Sequence, residues 1–273
     1  MRRAVLAVIL SLALVAAPMG RRESQASEPL ILVYGDSLVF EATPFAEQLL
    51  RDVGHAEYRV VGRGGSATCD FQQRFELDAA RLRPTVVVLA FSGNYLSPCM
   101  RTTSGELVDH DERLRRYADA TVQAIITFRP GSPQIWLGTA PIPKWADEAG
   151  DRAVFELAAM WHEMAAQNPR VHVAESGAAV MHYGRHYAPS LPCLSSEPCQ
   201  GGVDTWGRPS NFVRNQVDGT HFCPAPYDPL ARCPVYASGA MRFAGALLIP
   251  VLRSMGRFDI RRASGTYWAA WPG

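Results

Sequence analysis

The chain has 273 residues and a formal net charge of +1 at pH 7, with 27 lysines and arginines against 26 aspartates and glutamates. No run of basic residues forms a stripe, so the composition argues against nucleic acid as a partner. The length is sufficient for one α/β domain with a substantial buried core. Because the sequence contains no internal repeat and no low-complexity linker, we expect one domain, present as a monomer.

The N-terminal segment has the layout of a secretory signal. Arg2 and Arg3 precede an apolar run at residues 4–17, which is too short to span a bilayer comfortably. We therefore predict a signal peptide at residues 1–26 and a folded domain at residues 27–273. Charged residues separate the apolar run from the small residues at the candidate cleavage site, so an uncleaved membrane anchor remains the alternative. No other membrane contact is expected.

The six cysteines all follow this segment, as expected for an exported protein with three disulfide bonds. A metal site is the alternative. Cys193 and Cys199 are six positions apart, and Cys223 and Cys233 are ten apart. Neither spacing matches the short cysteine hooks of structural zinc sites. We therefore predict disulfides, and a secreted or cell-envelope location.

Five short apolar runs indicate strands that are buried on both faces, which is typical of a parallel sheet covered by helices. These runs lie at residues 30–34, 58–61, 85–91, 134–139 and 171–174. Apolar residues at a spacing of three to four predict helices between the strands. The alternation predicts a doubly wound, three-layer α/β/α sandwich with a five-stranded parallel sheet.

Two later segments have features of their own. A last helix is predicted from about Tyr236 to Met255, and Pro250 should kink it or end it early.

The segment from Met181 to Val217 has no convincing period and is rich in glycine, proline, serine and aromatic residues. A loop of this length in a compact domain is usually functional or mobile. We expect it to wall a substrate site, with aromatic side chains that either line a groove or pack the loop down: Tyr183, Tyr187, Trp206 and Phe212.

A candidate nucleophile follows the first predicted strand, in the motif Gly35-Asp36-Ser37-Leu38. Ligands bind at the carboxyl ends of the strands in an open parallel sheet, so Ser37 is placed at the crevice. The alternative is an ordinary turn in which Ser37 caps the following helix.

A candidate base lies near the C-terminus, in Asp218-Gly219-Thr220-His221. A serine hydroxyl needs a base to take its proton, and the imidazole needs an acceptor on its other nitrogen to hold the tautomer. Asp218 and His221 are three residues apart, so both can face the same way in one loop. A local Asx-turn is the alternative role for Asp218.

Two further motifs follow the second and third strands: Gly62-Arg63-Gly64-Gly65 and Ser92-Gly93-Asn94. Acyl transfer needs hydrogen-bond donors aimed where the oxyanion forms. A glycine offers an unobstructed backbone N–H, and an asparagine offers a side-chain N–H. Each motif by itself is equally compatible with a turn.

In combination, these four motifs resemble the four blocks of the SGNH (GDSL-type) hydrolases, and the resemblance extends from Leu30 to about Leu252. It implies a flavodoxin-like fold, Ser37 as nucleophile, and His221 as base oriented by Asp218. It also implies an oxyanion hole formed by the Ser37 and Gly65 backbone N–H groups and the Asn94 amide. Gly64 is the alternative to Gly65.

Two departures from the family pattern concern substrate access. Family members often have an aspartate directly after the asparagine of the third motif. In this chain Tyr95 follows Asn94 instead. The segment from Phe222 to Val235 is inserted between the histidine and the last helix. Neither departure removes a chemical group that catalysis needs.

The expected activity is hydrolysis of a carboxylic ester through an acyl-serine intermediate, without a metal or organic cofactor. An O-acyl group on a glycan, or another extracellular ester, is the expected substrate. The alternatives are a cell-envelope acyltransferase with the same triad and a non-catalytic glycan-binding module. His182 and His186 are a weak metal candidate, because Gly184 between them argues against a shared helix face and no third ligand is evident.

The resemblance also bears on the disulfide pairs. Gly65 and Asn94 must reach the same oxyanion, which brings the nearby Cys69 and Cys99 to one rim of the site. We therefore expect a Cys69–Cys99 bond. The other expected pairs are Cys193–Cys199 and Cys223–Cys233, each of which would close a short irregular loop.

Overall fold

The structure is a computed structural model that describes residues 28–268, except residues 201, 205, 225–232, 234 and 235 and the side chain at position 260. The signal peptide predicted at residues 1–26 lies outside this range, as does part of the inserted segment at 222–235. Among the described residues, no helix is both long enough and apolar enough to cross a membrane.

A five-stranded parallel sheet forms the centre of the fold, with strand order β2-β1-β3-β4-β5. This is the flavodoxin-like order of a doubly wound sheet, and it confirms the predicted fold. Each predicted strand is present within a residue or two of its expected bounds: β1 Leu30–Gly35, β2 Glu57–Gly62, β3 Val86–Ala90, β4 Gln134–Gly138 and β5 Val171–Ala174.

Helices cover both faces of the sheet, as the predicted sandwich requires. On one face α1 packs against α6, and on the other α3 packs against α2 and α5. A π-helical turn, Leu49–Val53, extends α1. The helices are α1 Ser37–Gln48, α2 Gln72–Arg81, α3 His110–Thr127, α4 Lys144–Ala149, α5 Ala153–Gln167, α6 Ser238–Ser254 and α7 Ile260–Ala263.

The sequence predicts that Pro250 either kinks the last helix or ends it early. The early end is wrong, because α6 continues through Pro250 to Ser254. A proline inside a helix removes one backbone hydrogen bond and costs on the order of 3 kcal/mol. Burial offsets this cost, since Leu248, Val251 and Leu252 are fully buried beside the proline.

The segment at 181–217 is more regular than its sequence indicates, because it forms two small antiparallel sheets. The first is a hairpin that pairs His182 with His186, so these two histidines do not share a helix face. The second has strand order β8-β10-β9. The five strands are β6 Met181–His182, β7 His186–Tyr187, β8 Ser190–Pro192, β9 Gly202–Val203 and β10 Pro209–Phe212.

The cysteines pair as Cys69–Cys99, Cys193–Cys199 and Cys223–Cys233, which are the pairs expected from the sequence. Three disulfides indicate an oxidising environment. Near the end of the described residues, Trp268 is fully buried and Tyr267 packs against the core.

Candidate active site

The turn that carries Ser37 is formed where β1 passes directly into α1. A Cβ atom on Gly35 would lie 2.2 Å from Val39 Cγ2 and 2.3 Å from the Ala90 carbonyl oxygen, so only glycine fits this close approach. Asp36 is the N-cap of α1 and accepts a hydrogen bond from the Leu38 N–H, 3.0 Å away. Ser37 is therefore the first residue of a helix that starts at the carboxyl edge of the sheet.

Ser37, His221 and Asp218 form a continuous hydrogen-bonded series. His221 Nε2 lies 3.1 Å from Ser37 Oγ, and His221 Nδ1 lies 2.8 Å from Asp218 Oδ2. Because a carboxylate only accepts, the imidazole proton is on Nδ1, which leaves Nε2 to accept from the serine hydroxyl. This is the arrangement a general base needs to activate a serine.

The loop that carries His221 holds its shape through Asp218 and Asn215. Asp218 Oδ1 accepts hydrogen bonds from the N–H groups of Thr220 and His221, so the aspartate makes an Asx-turn with one oxygen and contacts the imidazole with the other. Asn215 Oδ1 accepts from the N–H groups of Val217 and Asp218, and the Asn215 N–H donates to the His221 carbonyl at 2.7 Å. Sequence reasoning missed Asn215, whose surroundings give no local signal.

The ionisation of the pair follows from these contacts. Burial alone would lower the pKa of His221, but its hydrogen bond to Asp218 and the nearby charges of Glu41 and Asp36 raise this pKa above its ordinary value. Burial favours the neutral form of Asp218, yet hydrogen bonds from His221 and Thr220 lower the pKa of this carboxyl. Asp218 therefore stays ionised throughout the range in which His221 titrates.

A further carboxylate, the fully buried Asp36, joins the nucleophile turn to the loop after β3. Asp36 Oδ2 accepts from Ser92 Oγ at 2.6 Å, from the Ser92 backbone N–H, and from Asn94 Nδ2 at 3.1 Å. Complete burial raises the pKa of Asp36, while hydrogen bonds from Ser92 and Leu38 oppose the rise. Asp36 thus supports the Asn94 side chain from the nucleophile turn.

The three candidate oxyanion donors differ in whether they already donate hydrogen bonds within the protein. Asn94 Nδ2 also donates to the Ser66 carbonyl at 3.1 Å, so both of its hydrogens have acceptors and one must be released to bind an oxyanion. The backbone N–H groups of Ser37 and Gly65 have no acceptor among the described residues. Gly65 has φ +68°, a backbone conformation that favours glycine.

A cleft opens beside the candidate triad, with a cavity of about 160 Å³ between the loop after β3 and the segment before α4. Its lining includes Asn94 and Thr220, and its apolar walls come from Tyr95, Leu96, Pro141, Pro143 and Trp145. The expectation that residues 181–217 wall the site is therefore wrong for this cleft. The segment folds into its own small sheets, where Trp206 and Phe212 are exposed elsewhere on the surface.

A smaller cavity of about 40 Å³ adjoins the cleft: it shares Tyr95, Pro143 and Trp145 with it and is also lined by Arg113 and Asp151. The Arg113 guanidinium lies 5.4 Å from the Tyr95 ring centroid and 4.0 Å from Asp151 Oδ2. The Tyr95 and Trp145 rings meet edge to face, with 6.1 Å between centroids. The cleft thus has aromatic walls and charged groups in the cavity beside it.

Potential metal ligands come together at one place in the described part of the chain, where Glu41 lies near Cys223 and Cys233. Both sulfurs are joined in a disulfide, so neither is a thiolate that could bind an ion.

Comparison with known proteins identifies the fold. Neither a protein-family sequence model nor a curated protein sequence matches the chain. An acetylxylan esterase from Geobacillus stearothermophilus, solved as a catalytic mutant, superimposes with a TM-score of 0.54 at 15% identity, covering 85% of this chain and 95% of that one. An acetyl xylan esterase matches with a TM-score of 0.49 at 16% identity, over 81% and 99% of the two chains. A GDSL-like lipase from Bacteroides thetaiotaomicron gives 0.47 at 12% identity, over 83% and 88%. The chain has the fold of the SGNH (GDSL-type) hydrolases.

Proposed function

We propose that the protein is a serine esterase that hydrolyses carboxylic esters through an acyl-serine intermediate. The observation that carries this proposal is the series from Ser37 Oγ through the His221 imidazole to the Asp218 carboxylate, with contacts of 3.1 Å and 2.8 Å. The fold, shared with an acetylxylan esterase, supports the same reaction class.

In the first half of the reaction, Ser37 Oγ attacks the ester carbonyl carbon while His221 Nε2 takes the hydroxyl proton. The carbonyl oxygen becomes an oxyanion, stabilised by the Ser37 and Gly65 N–H groups and by Asn94 once its amide is released from an internal acceptor. His221 then donates the proton to the leaving alcohol oxygen as the C–O bond breaks. In the second half, water attacks the acyl carbon and gives its proton to His221, which returns it to Ser37 Oγ as the acyl–oxygen bond breaks and the carboxylic acid leaves.

The cleft supports an acylated glycan as the substrate. Trp145 is 45% exposed and, with Tyr95, provides aromatic surface for a sugar ring, while Arg113 and Asp151 in the adjoining cavity can hydrogen-bond hydroxyl groups. A long acyl chain would leave these charged groups buried against hydrocarbon, which is unfavourable. The three disulfides support a secreted or cell-envelope location, where such glycans are accessible.

A serine-reactive phosphonate tests the reaction class. We expect it to label Ser37, and Ser37→Ala to abolish labelling and lower ester turnover by several orders of magnitude. The matched control is Ser104→Ala in an exposed turn, which should keep full activity. A wild-type protein that binds glycans but is neither labelled nor active would instead be a non-catalytic module.

Product analysis with an added sugar acceptor separates hydrolysis from acyl transfer. Free carboxylic acid is the expected product, because the cleft rim at Leu96 and Trp145 is exposed to water. An acylated sugar as the main product would identify a cell-envelope acyltransferase.

The substrate class is tested by comparing an acetylated oligosaccharide with p-nitrophenyl acetate. Trp145→Ala and Asp151→Asn should raise KM for the oligosaccharide more than KM for the small ester. Trp206→Ala is the matched control, because Trp206 is exposed outside the cleft. Equal effects of Trp145→Ala on both substrates would exclude the cleft as a sugar subsite.

A further inference from the structure

Glu41 lies one helical turn after Ser37, on the same face of α1. It is 1% exposed, and a carboxylate buried to this degree normally has a partner of opposite charge or several hydrogen-bond donors. Glu41 Oε2 accepts the backbone N–H of Phe222 at 2.6 Å. Its other oxygen is buried without a hydrogen-bond partner among the described residues. Packing of α1 against the core does not explain such a group.

The contact with Phe222 places Glu41 next to the candidate base. Phe222 directly follows His221, so two consecutive residues of the loop contact two residues one turn apart on α1. His221 reaches Ser37 through its side chain, and Phe222 reaches Glu41 through its backbone N–H. Asp218 and Asn215 hold the loop internally, through hydrogen bonds to its own residues. The Phe222–Glu41 hydrogen bond adds a second connection between the loop and α1, beside the Ser37–His221 contact.

We propose that Glu41 is a positioning residue that docks the His221 loop onto the helix bearing Ser37 and adds a negative charge behind the imidazole. The proposal extends the esterase assignment. It rests on that assignment only in the experiments that measure activity. Glu41 touches neither the nucleophile nor the cleft, so its action passes through Phe222 and His221.

The charges around this loop determine how Glu41 acts on His221. Asp36, Asp218 and Glu41 all favour the protonated imidazole. Burial raises the pKa of Glu41 to about 7, so this carboxyl is only partly ionised near neutral pH and its effect on His221 grows as the pH rises.

Cationic groups are also close. Arg214 is fully buried, and its guanidinium lies 5.1 Å from the centroid of the Phe222 ring. Its charge and that of Glu41 favour each other's ionised forms. The Lys144 side chain packs near Gly219 in the same loop. The His221 environment therefore contains both signs of charge, and Glu41 contributes to it a buried carboxyl that is partly ionised near neutral pH.

Glu41→Gln tests the charge while keeping an acceptor for the Phe222 N–H. We expect the acidic limb of the pH profile of kcat/KM to move to lower pH by about half a pH unit, because removing a negative charge favours the neutral imidazole. Glu41→Ala removes the acceptor as well, and should lower kcat by about tenfold to a hundredfold with a smaller change in KM.

Asp78→Asn is the matched control. Asp78 is another buried carboxylate, 4% exposed, that contacts Tyr34, Arg59 and Arg74 on the opposite face of the sheet. This variant should lower the melting temperature and leave the pH profile in place. An unchanged acidic limb in Glu41→Gln, or wild-type kcat in Glu41→Ala, would overturn the proposal.

Titration of the His221 imidazole by NMR separates this proposal from the esterase assignment. Its resonances are identified by their loss in His221→Asn. The pKa of His221 should fall by about half a unit in Glu41→Gln, whether or not any ester is cleaved. If the wild-type protein is inactive but the His221 pKa falls in Glu41→Gln, the esterase assignment is wrong and the role of Glu41 stands. If the wild-type protein is active but the His221 pKa does not fall in Glu41→Gln, the esterase assignment stands and the role of Glu41 is wrong.

Discussion

His221 Nε2 lies 3.1 Å from Ser37 Oγ although the two residues are 184 positions apart in the chain. Asp218, by contrast, is only three residues from the histidine it contacts. The candidate triad therefore has one local contact, formed within a single loop, and one long-range contact. The two contacts should respond differently to mutation.

His221→Ala should lower turnover more than Asp218→Asn. The alanine variant has no base, whereas the amide oxygen of asparagine can still accept the imidazole proton and hold the ring. Steady-state kinetics of both variants on one ester check this order. An Asp218→Asn defect as large as that of His221→Ala would mean that the carboxylate charge, and not only its position, is essential.

Activity of the wild-type protein should fall as pH drops through the titration of His221, since only the neutral imidazole accepts a proton. Because the pKa of His221 is raised, we expect the midpoint of this fall above about 6.5. Measuring kcat/KM from pH 5 to 9 locates the midpoint. A midpoint well below 6 would contradict the charge environment described for the loop.

Asn94→Ala should lower kcat by about a hundredfold or more, the scale for loss of one oxyanion donor. The amide also joins Asp36 to the Ser66 carbonyl, so some loss of melting temperature should accompany the kinetic defect. Ser92→Ala is the matched comparison, because it removes another donor to Asp36 without an oxyanion role. If both variants lose kcat equally, the role of Asn94 is to support Asp36.

The Cys69–Cys99 disulfide should contribute to both stability and turnover. It joins the loops after β2 and β3 and, in the chain-entropy model, is worth about 3 to 4 kcal/mol. Its loss in Cys69→Ser, Cys99→Ser should lower the melting temperature and, by loosening Asn94 relative to Gly65, kcat. The control is Cys193→Ser, Cys199→Ser, which opens a short loop outside the cleft. Full turnover of the first double variant at low temperature would make this bridge purely structural.

The free energy of unfolding should depend on Glu41 between pH 4.5 and 7. The carboxyl ionises near its ordinary pKa in the unfolded chain but at about 7 in the folded protein. The folded state therefore binds the proton more tightly, and this stabilisation is fully present below pH 4.5 and lost as pH rises through 7. Compared with Glu41→Gln, the wild-type protein should lose up to about 3 kcal/mol between pH 4.5 and 8. Urea unfolding at both pH values measures the difference. Parallel pH dependence in the two proteins would rule out a buried, titrating Glu41.

Much of the fold can be predicted from the sequence because each feature is encoded locally. A continuous apolar run such as that before Gly35 identifies a strand buried on both faces, and the motif that follows it places Ser37 at the strand end. The Asp218 and His221 pair is recognisable for the same reason, since three residues of one loop suffice to bring them together. The short disulfide loops, such as Cys193–Cys199, also depend on few residues.

The tertiary structure alone decided several features that depend on how distant segments pack. Whether Pro250 ends its helix depends on how much of α6 is buried, and local periodicity does not report this. The cleft is lined by Pro143 and Trp145 instead of the irregular segment at 181–217, because the packing of loops at the sheet edge determines which one faces Ser37. The contact between Glu41 and Phe222 has no sequence signal at all. It exists because α1 and the His221 loop are packed together by the whole domain, and a single strand or loop does not encode that packing.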